Sequence, residues 1–302
     1  MNLFDLHCDS ISRCLDAGKS LLQNDFHLDI ERGLSYENWV QTFAIFIHDD
    51  YEGHTAYERF LSQYNFFLSQ MQKSQGKLVM FGDKVKKGVC NAVLSVENGS
   101  MLENDIDRVK KLSQMGARFL TLCWNGENQI CGGADTDKGL TDFGAQVVKE
   151  CEESQIVVDV SHLNEKSFFG VCKIAQKPIV ATHSNAKSVH NHRRNLTDAQ
   201  IEQIADMKGL IGINLYPLFL NGKFDASVDD ILRHIDHLLN KAGEKTLAIG
   251  TDFDGADMPT QINNIERLEI LYKSVVKSYD ENLAHQIFCN NALDFIQRLK
   301  LN

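Results

Sequence analysis

Residues 92–124 read AVLSVENGSMLENDIDRVKKLSQMGARFLTLCW. Two apolar runs, AVLSVE (92–97) and RFLTLCW (118–124), flank DIDRVKKLSQMG (105–116), where apolar residues recur at three- and four-residue steps. Short runs rich in β-branched and aromatic residues read as buried strands, and a 3.6-residue period reads as an amphipathic helix. The stretch is therefore a strand–helix–strand unit. The same alternation fills the chain. Further runs stand at NLFDLH (2–7), VQTFAIFI (40–47), IVVDVSH (156–162), PIVATHS (178–184), LIGINLY (210–216) and LAIGTDFD (247–254). Helical periods occupy 56–73, 142–154, 229–243, 264–278 and 281–299. In LTDAQIEQIADMKG, Thr197 or Asp198 can cap the start and Gly209 can end the helix. Strands alternating with helices predict one parallel sheet. Eight such units favour a closed (β/α)8 TIM-type barrel. An open doubly wound sheet is the alternative, but it usually opens with a Gly-rich phosphate loop. No GxGxxG or GxxxxGK[ST] follows an early strand here.

The 302 residues are 43% apolar and 24% charged, which is ordinary globular composition. No linker, repeat or low-complexity tract divides them, so residues 1–302 are expected to form a single barrel domain. The net charge of −10 is spread along the chain, which argues against nucleic acid and anionic membranes as partners. No apolar run approaches the roughly 20 residues a transmembrane helix needs. The start lacks the pattern of a signal peptide, and FIQRLKLN at the end is too short and polar for a lipid-anchor signal. The eight cysteines (Cys8, Cys14, Cys90, Cys123, Cys131, Cys151, Cys172 and Cys289) form no CxxC pair. They are expected to be reduced, core-packed thiols in a cytoplasmic protein. The longest irregular stretches are 10–39, 48–54 and 126–137. They follow strands 1, 2 and 4, on the side where such barrels keep their functional loops.

Ionisable residues gather at the strand ends. In FDLHCD (4–9) strict alternation puts Phe4, Leu6 and Cys8 on one face and Asp5, His7 and Asp9 on the other. Glu97 ends strand 3, His162 strand 5 and His183 strand 6, while Asp252 and Asp254 end strand 8. A closed barrel brings these ends to one mouth. Unpaired charges crowded there would repel and lose solvation. A divalent cation removes that penalty, and imidazole and carboxylate are suitable ligands for zinc and similar ions. Five ligands exceed what one catalytic zinc usually takes, but suit two metals with a bridging carboxylate and a water or hydroxide between them. Cys8 points to the outer layer, and Asp5 lies deeper in the strand with an open role. His234 and His237, three apart on a helix, read as packing or surface residues; His48 and His54 read as loop residues. The segment THSNAKSVHNHRRNLTDAQ (182–200) is basic in an acidic chain and leaves directly from His183. An arginine there can pair with an anionic substrate group through its planar fork.

These residues together resemble the membrane dipeptidase (renal dipeptidase) family of zinc peptidases. The resemblance spans nearly the whole chain. It rests on DLHCDS, SVENG, FLTLCWNGEN, DVSH, THSNAKSVHNHRRNLTD and GTDFDG, in that order. It implies a metallo-dependent hydrolase barrel with two Zn2+, with Mn2+ or Co2+ as substitutes. It implies that His7 and Asp9 bind one metal, that His162 and His183 bind the other, and that Glu97 bridges them. Arg194 matches the arginine that holds the substrate's C-terminal carboxylate, and Asp252 the acidic residue near the bridging water. Asp254 is the weaker match for that role. Mammalian members carry a histidine after strand 4, where this chain has Trp124 followed by Asn125. Either could supply a hydrogen bond to substrate, but neither can be cationic. A homodimer is also implied by the resemblance.

The expected activity is hydrolysis of dipeptides, with a D-residue allowed at the C-terminal side as the family often permits. A hydroxide bridging two zinc ions attacks the carbonyl, Asp252 shuttles the proton, and Arg194 measures length from the scissile bond. One rival is another dinuclear amidohydrolase acting on a cyclic amide, lactone or N-acyl amino acid. Those barrels more often open with HxH and use a lysine-derived bridge, whereas this chain has HxD and Glu97. A second rival, a barrel that only binds, would be expected to have lost a ligand.

Overall fold

The computed structural model describes residues 1–82 and 84–299. Nine parallel strands form its sheet: β1 (Leu3–Cys8), β2 (Trp39–Phe46), β3 (Leu78–Met80), β4 (Cys90–Glu97), β5 (Ala117–Thr121), β6 (Val157–Asp159), β7 (Val180–Ala181), β8 (Leu210–Ile213) and β9 (Leu247–Ile249). The order is β2-β1-β9-β8-β7-β6-β5-β4-β3, and β2 also pairs with β4. That pairing closes eight of the strands into a barrel and leaves β3 as a short outer partner on the first residues of β4. The expected (β/α)8 barrel is therefore the observed fold. β3 has three residues, too few to show a period in sequence.

Two hydrophobic layers hold the barrel. Phe4, Leu6, Val40, Val93, Phe119, Val157, Val180, Leu210 and Ala248 contribute one position or two from each closing strand and fill the interior. The C-terminal helix Asn291–Arg298 packs Ala292, Phe295 and Ile296 against this layer and plugs the N-terminal end. The larger outer layer lies between strands and helices. Closing the barrel leaves only the C-terminal strand ends open to substrate.

Two features alter where side chains point. On β1, Asp5 pairs with Gln41 but Cys8 with Phe43, so three steps on β1 meet two on β2. This bulge breaks the alternation expected for FDLHCD. Phe4 and Leu6 lie in the interior layer, whereas Leu3 and Cys8 lie in the outer one. Cys8 thus takes the outer place expected of it but does not share a face with Phe4 and Leu6. Second, strands β6, β7 and β9 end earlier than their apolar runs suggested. His162 (φ 71°), Asp252 (φ 64°) and Asp254 (φ 68°) adopt left-handed backbone after the sheet has ended. Non-glycine residues held there are uncommon and cluster at functional sites.

The stretch 10–39, expected to be irregular, contains helices Ser10–Asp16 and Ile30–Gly33. Asp29 caps the second, accepting from the Arg32 N–H. Thr197 forms a capping box with Gln200 at the start of helix Asp198–Asp206. Asn164 caps helix Glu165–Ile174, which the periodicity did not reveal. The helical stretch 281–299 is interrupted by a π turn at Gln286–Asn290.

Candidate active site

The bulge on β1 and the left-handed turns after β6 and β9 bring the expected residues together at the mouth. Glu97 ends β4 and sits at the centre. Its Oε2 is 3.4 Å from His7 Nε2, and its Oε1 is 2.8 Å from His162 Nε2 and 3.7 Å from His183 Nε2. Asp9 Oδ2 is 3.3 Å from His7 Nε2. The Nε2 atoms of His162 and His183 are 2.9 Å apart. All five residues are buried, none more than 7% exposed. Among the described residues, His7 Nε2 and Asp9 Oδ1 have no hydrogen-bond partner.

Proton positions explain why such a cluster suits a cation. His162 Nδ1 lies 2.9 Å from Asn125 Oδ1, which can only accept, so the His162 proton resides on Nδ1. His162 Nε2 is then a bare lone pair facing the Glu97 carboxylate. One donor atom each from His7, Glu97 and His183 lies within 4.8 Å of the others, and the same holds for His7, Asp9 and Asp252. Donor atoms so close and so dry fit divalent metal ions.

The electrostatics agree. Burial holds His162 and His183 well below the usual imidazole range, with Arg194 and His7 adding to the effect, so both are neutral. Burial also opposes a charge on His7, but the Glu97 and Asp9 carboxylates outweigh it and raise its pKa well above normal. The same two carboxylates would hold a metal cation in place of that proton. Burial, reinforced by Asp9, pushes Glu97 up to about 8. Burial raises Asp252 to about 6.

Asp252 accepts from Asn214 Nδ2 at Oδ2, 3.0 Å away, and among the described residues no donor reaches its Oδ1. Gly255 lies against Asp9 and Asp252, where a Cβ would overlap both carboxylates. Asp254 is occupied elsewhere. Ser10 Oγ and the His27 backbone N–H donate to it, and its own N–H donates to His27 Nδ1. Of the two aspartates, Asp252 is the one facing the cluster. Asp5, whose role was open, accepts from Gln41 Nε2 and from the Thr251 N–H and Oγ1. It therefore pins the residue preceding Asp252.

The two arginines of HRRN separate cleanly. Arg193 is exposed and pairs with Asp135 at 2.7 Å. Arg194 is buried, its guanidinium lies 5.4 Å from the Phe219 ring centroid, and its Nε and Nη2 have no partner among the described residues. Burial lowers its pKa to about 10. Arg194, Glu97, Asp252 and Trp124 line one cavity of about 960 Å3. Trp124 stands against Phe46 and His48, with centroids at 5.2 and 4.9 Å, so His48 is part of the cavity wall and not a plain loop residue. Asn125 also lines the cavity, but its Oδ1 is committed to His162. His234 is a buried tether, accepting from the Ala186 N–H and bonding Leu220 O, while His237 pairs with Asp198. Asn214 was missed because a search for ionisable strand ends passes over an amide.

Barrel, mouth and donor set define a metal-dependent hydrolase. The chain belongs to the membrane dipeptidase family, peptidase family M19, whose family model matches residues 1–301. It is similar to a metallopeptidase of Rhodobacter sphaeroides solved with a phosphinate mimic of the dipeptide L-Ala-D-Ala. The identity is 26%, the coverage 99% of both chains and the TM-score 0.91. An uncharacterized Klebsiella pneumoniae protein from the pqqA 5′ region is 34% identical over 61% of this chain and 73% of its own length. An uncharacterized dipeptidase of Schizosaccharomyces pombe is 26% identical over 60% of this chain, which spans only 46% of that relative. Metallopeptidase membership bears out the hydrolase expectation.

Proposed function

We propose that this chain hydrolyses dipeptides, including those with a C-terminal D-residue, with two divalent ions, zinc first among them. His7 and Asp9 would hold one ion, His162 and His183 the other, and Glu97 both. One observation carries the reading: a buried cluster of imidazole and carboxylate donors shares a cavity with a buried guanidinium that has two nitrogens unpartnered among the described residues. When bound, the ions would polarise the scissile carbonyl and make a water nucleophilic near neutral pH. Arg194 would take the substrate's free carboxylate on its Nε and Nη2, fixing the distance to the peptide bond and excluding longer peptides. Asp252 would accept the water's proton at the open Oδ1 and return it to the leaving amine, while Asn214 holds Oδ2. Trp124 would wall the side-chain space, and Asn125 would orient His162. The dipeptide mimic bound to the Rhodobacter relative supports the substrate class.

The proposal extends to a reducing, cytoplasmic setting, supported by eight cysteines present as free thiols. Among the described residues no helix is long and apolar enough to cross a membrane. It also extends to a homodimer, which rests on the resemblance alone and is tested by sedimentation. Glu97→Gln tests the core of the reading. Cleavage of L-Ala-D-Ala and L-Ala-L-Ala should be lost while the thermal transition of the metal-free protein is kept. Undiminished cleavage by that variant would refute it.

A further inference from the structure

One heavily bonded side chain near the mouth belongs to a residue that none of the roles above uses. Asp159, the last residue of β6, is buried at 1% exposure. Its Oδ1 accepts from the Ser161 N–H at 2.9 Å and the Thr182 N–H at 3.1 Å. Its Oδ2 accepts from Thr182 Oγ1 at 2.6 Å and Thr121 Oγ1 at 2.7 Å. Thr182 follows β7 and precedes His183. Its hydroxyl has one proton, and that proton goes to Asp159. The lone pairs of Thr182 Oγ1 are left for His183 Nδ1 at 2.9 Å, with His7 Nδ1 on the same oxygen at 3.5 Å. An oxygen that has given away its proton can only accept, so His183 Nδ1 must carry the hydrogen. Its Nε2 is then bare and turned to Glu97.

We propose that Asp159 is a positioning residue which, through the Thr182 hydroxyl, sets the tautomer and ring orientation of His183, and secondarily of His7, for metal binding. The inference rests on the metal-site reading above. One carboxylate inside the barrel thereby serves imidazoles from two distant strands. The backbone is shaped to allow it: a Cβ on Gly212 or Gly250 would overlap the Thr182 carbonyl oxygen, so these glycines let β8 and β9 close on this point. His162 receives the same service from Asn125 instead. Partners that orient ligand histidines typically change metal affinity by about 10- to 100-fold when lost.

Thr182→Val keeps the shape and removes the hydroxyl, whereas Thr182→Ser keeps the hydroxyl and removes the methyl. Asp159→Asn places an amide NH2 toward the two threonine hydroxyls, because its other oxygen still faces two backbone N–H groups. The Thr182 proton would then turn toward His183 Nδ1 and enforce the wrong tautomer. The readout is Zn2+ affinity of the full chain by chelator competition, with the absorption spectrum of the Co2+-loaded protein. Thr182→Val should weaken one site by about 10- to 100-fold and alter the Co2+ spectrum, and Thr182→Ser should stay close to the parent. Asp159→Asn should follow Thr182→Val. A purely packing role for Thr182 reverses the order of Val and Ser, and that order would overturn the inference. Parent-like affinity in Thr182→Val would also overturn it, even if Asp159→Asn fails to fold. Failure of the parent chain to bind zinc would instead overturn the metal-site reading.

Discussion

Replacing Arg194 by methionine should make the protein more stable and nearly useless on its substrate. Arg194 is 5% exposed, and its Nε and Nη2 are unpartnered among the described residues. Burial lowers its pKa to about 10, a shift that corresponds to ~3 kcal/mol of penalty on the charged form. Orphaned buried donors cost about 1–3 kcal/mol each by mutational measures. Methionine fills similar volume against Phe219 without those donors. The metal-free variant should therefore gain about 1–3 kcal/mol, a rise of roughly 2–5 °C in Tm for a chain of this size. The same change removes a charged pair to the substrate carboxylate, at about 3 kcal/mol, or roughly 10²-fold in kcat/KM. The assay compares a dipeptide with its C-terminal amide. The unsubstituted chain should favour the free carboxylate strongly, and Arg194→Met should erase that preference by lowering only the dipeptide rate. Equal losses on both substrates, or a fall in Tm, would refute the carboxylate role.

Gly255→Ala forces a methyl onto Asp9 and Asp252, so zinc affinity and turnover should fall together by at least about tenfold while far-UV circular dichroism is unchanged; chelator competition checks it. His234 is buried, and burial lowers its pKa from 6.5 to about 4. The unfolded chain takes up that proton first, so stability is full above pH 6.5 and is lost as pH falls toward 4, by ~3 kcal/mol. Denaturation across that range should show a steeper loss for the parent than for His234→Gln, and parallel slopes would count against it. Asn214→Leu strips Asp252 of a side-chain donor and should lower kcat more than it raises KM, as read from the pH–rate profile.

Much of the candidate site was legible because each proposed ligand follows an apolar run. His7, Glu97, His162 and His183 all stand at the end of a buried strand pattern, and the barrel supplies their convergence. Side-chain direction was less legible. The bulge between Asp5 and Cys8 and the left-handed backbone at His162 and Asp252 override strand alternation, and neither has a local sequence signal. The supporting residues Asp159, Thr182 and Asn214 look like ordinary strand-end polar residues until their partners across the barrel are known. The separation of Arg193 from Arg194 likewise depends on Asp135, a loop residue far away in sequence.

The most direct test follows metal and activity in one preparation. Bound metal is counted and dipeptide cleavage is measured before chelation, after chelation and after zinc is restored. Two equivalents per chain, with cleavage that disappears and returns with them, is the expected result. Cleavage that survives removal of all metal, or none with two ions bound, would contradict a dinuclear dipeptidase.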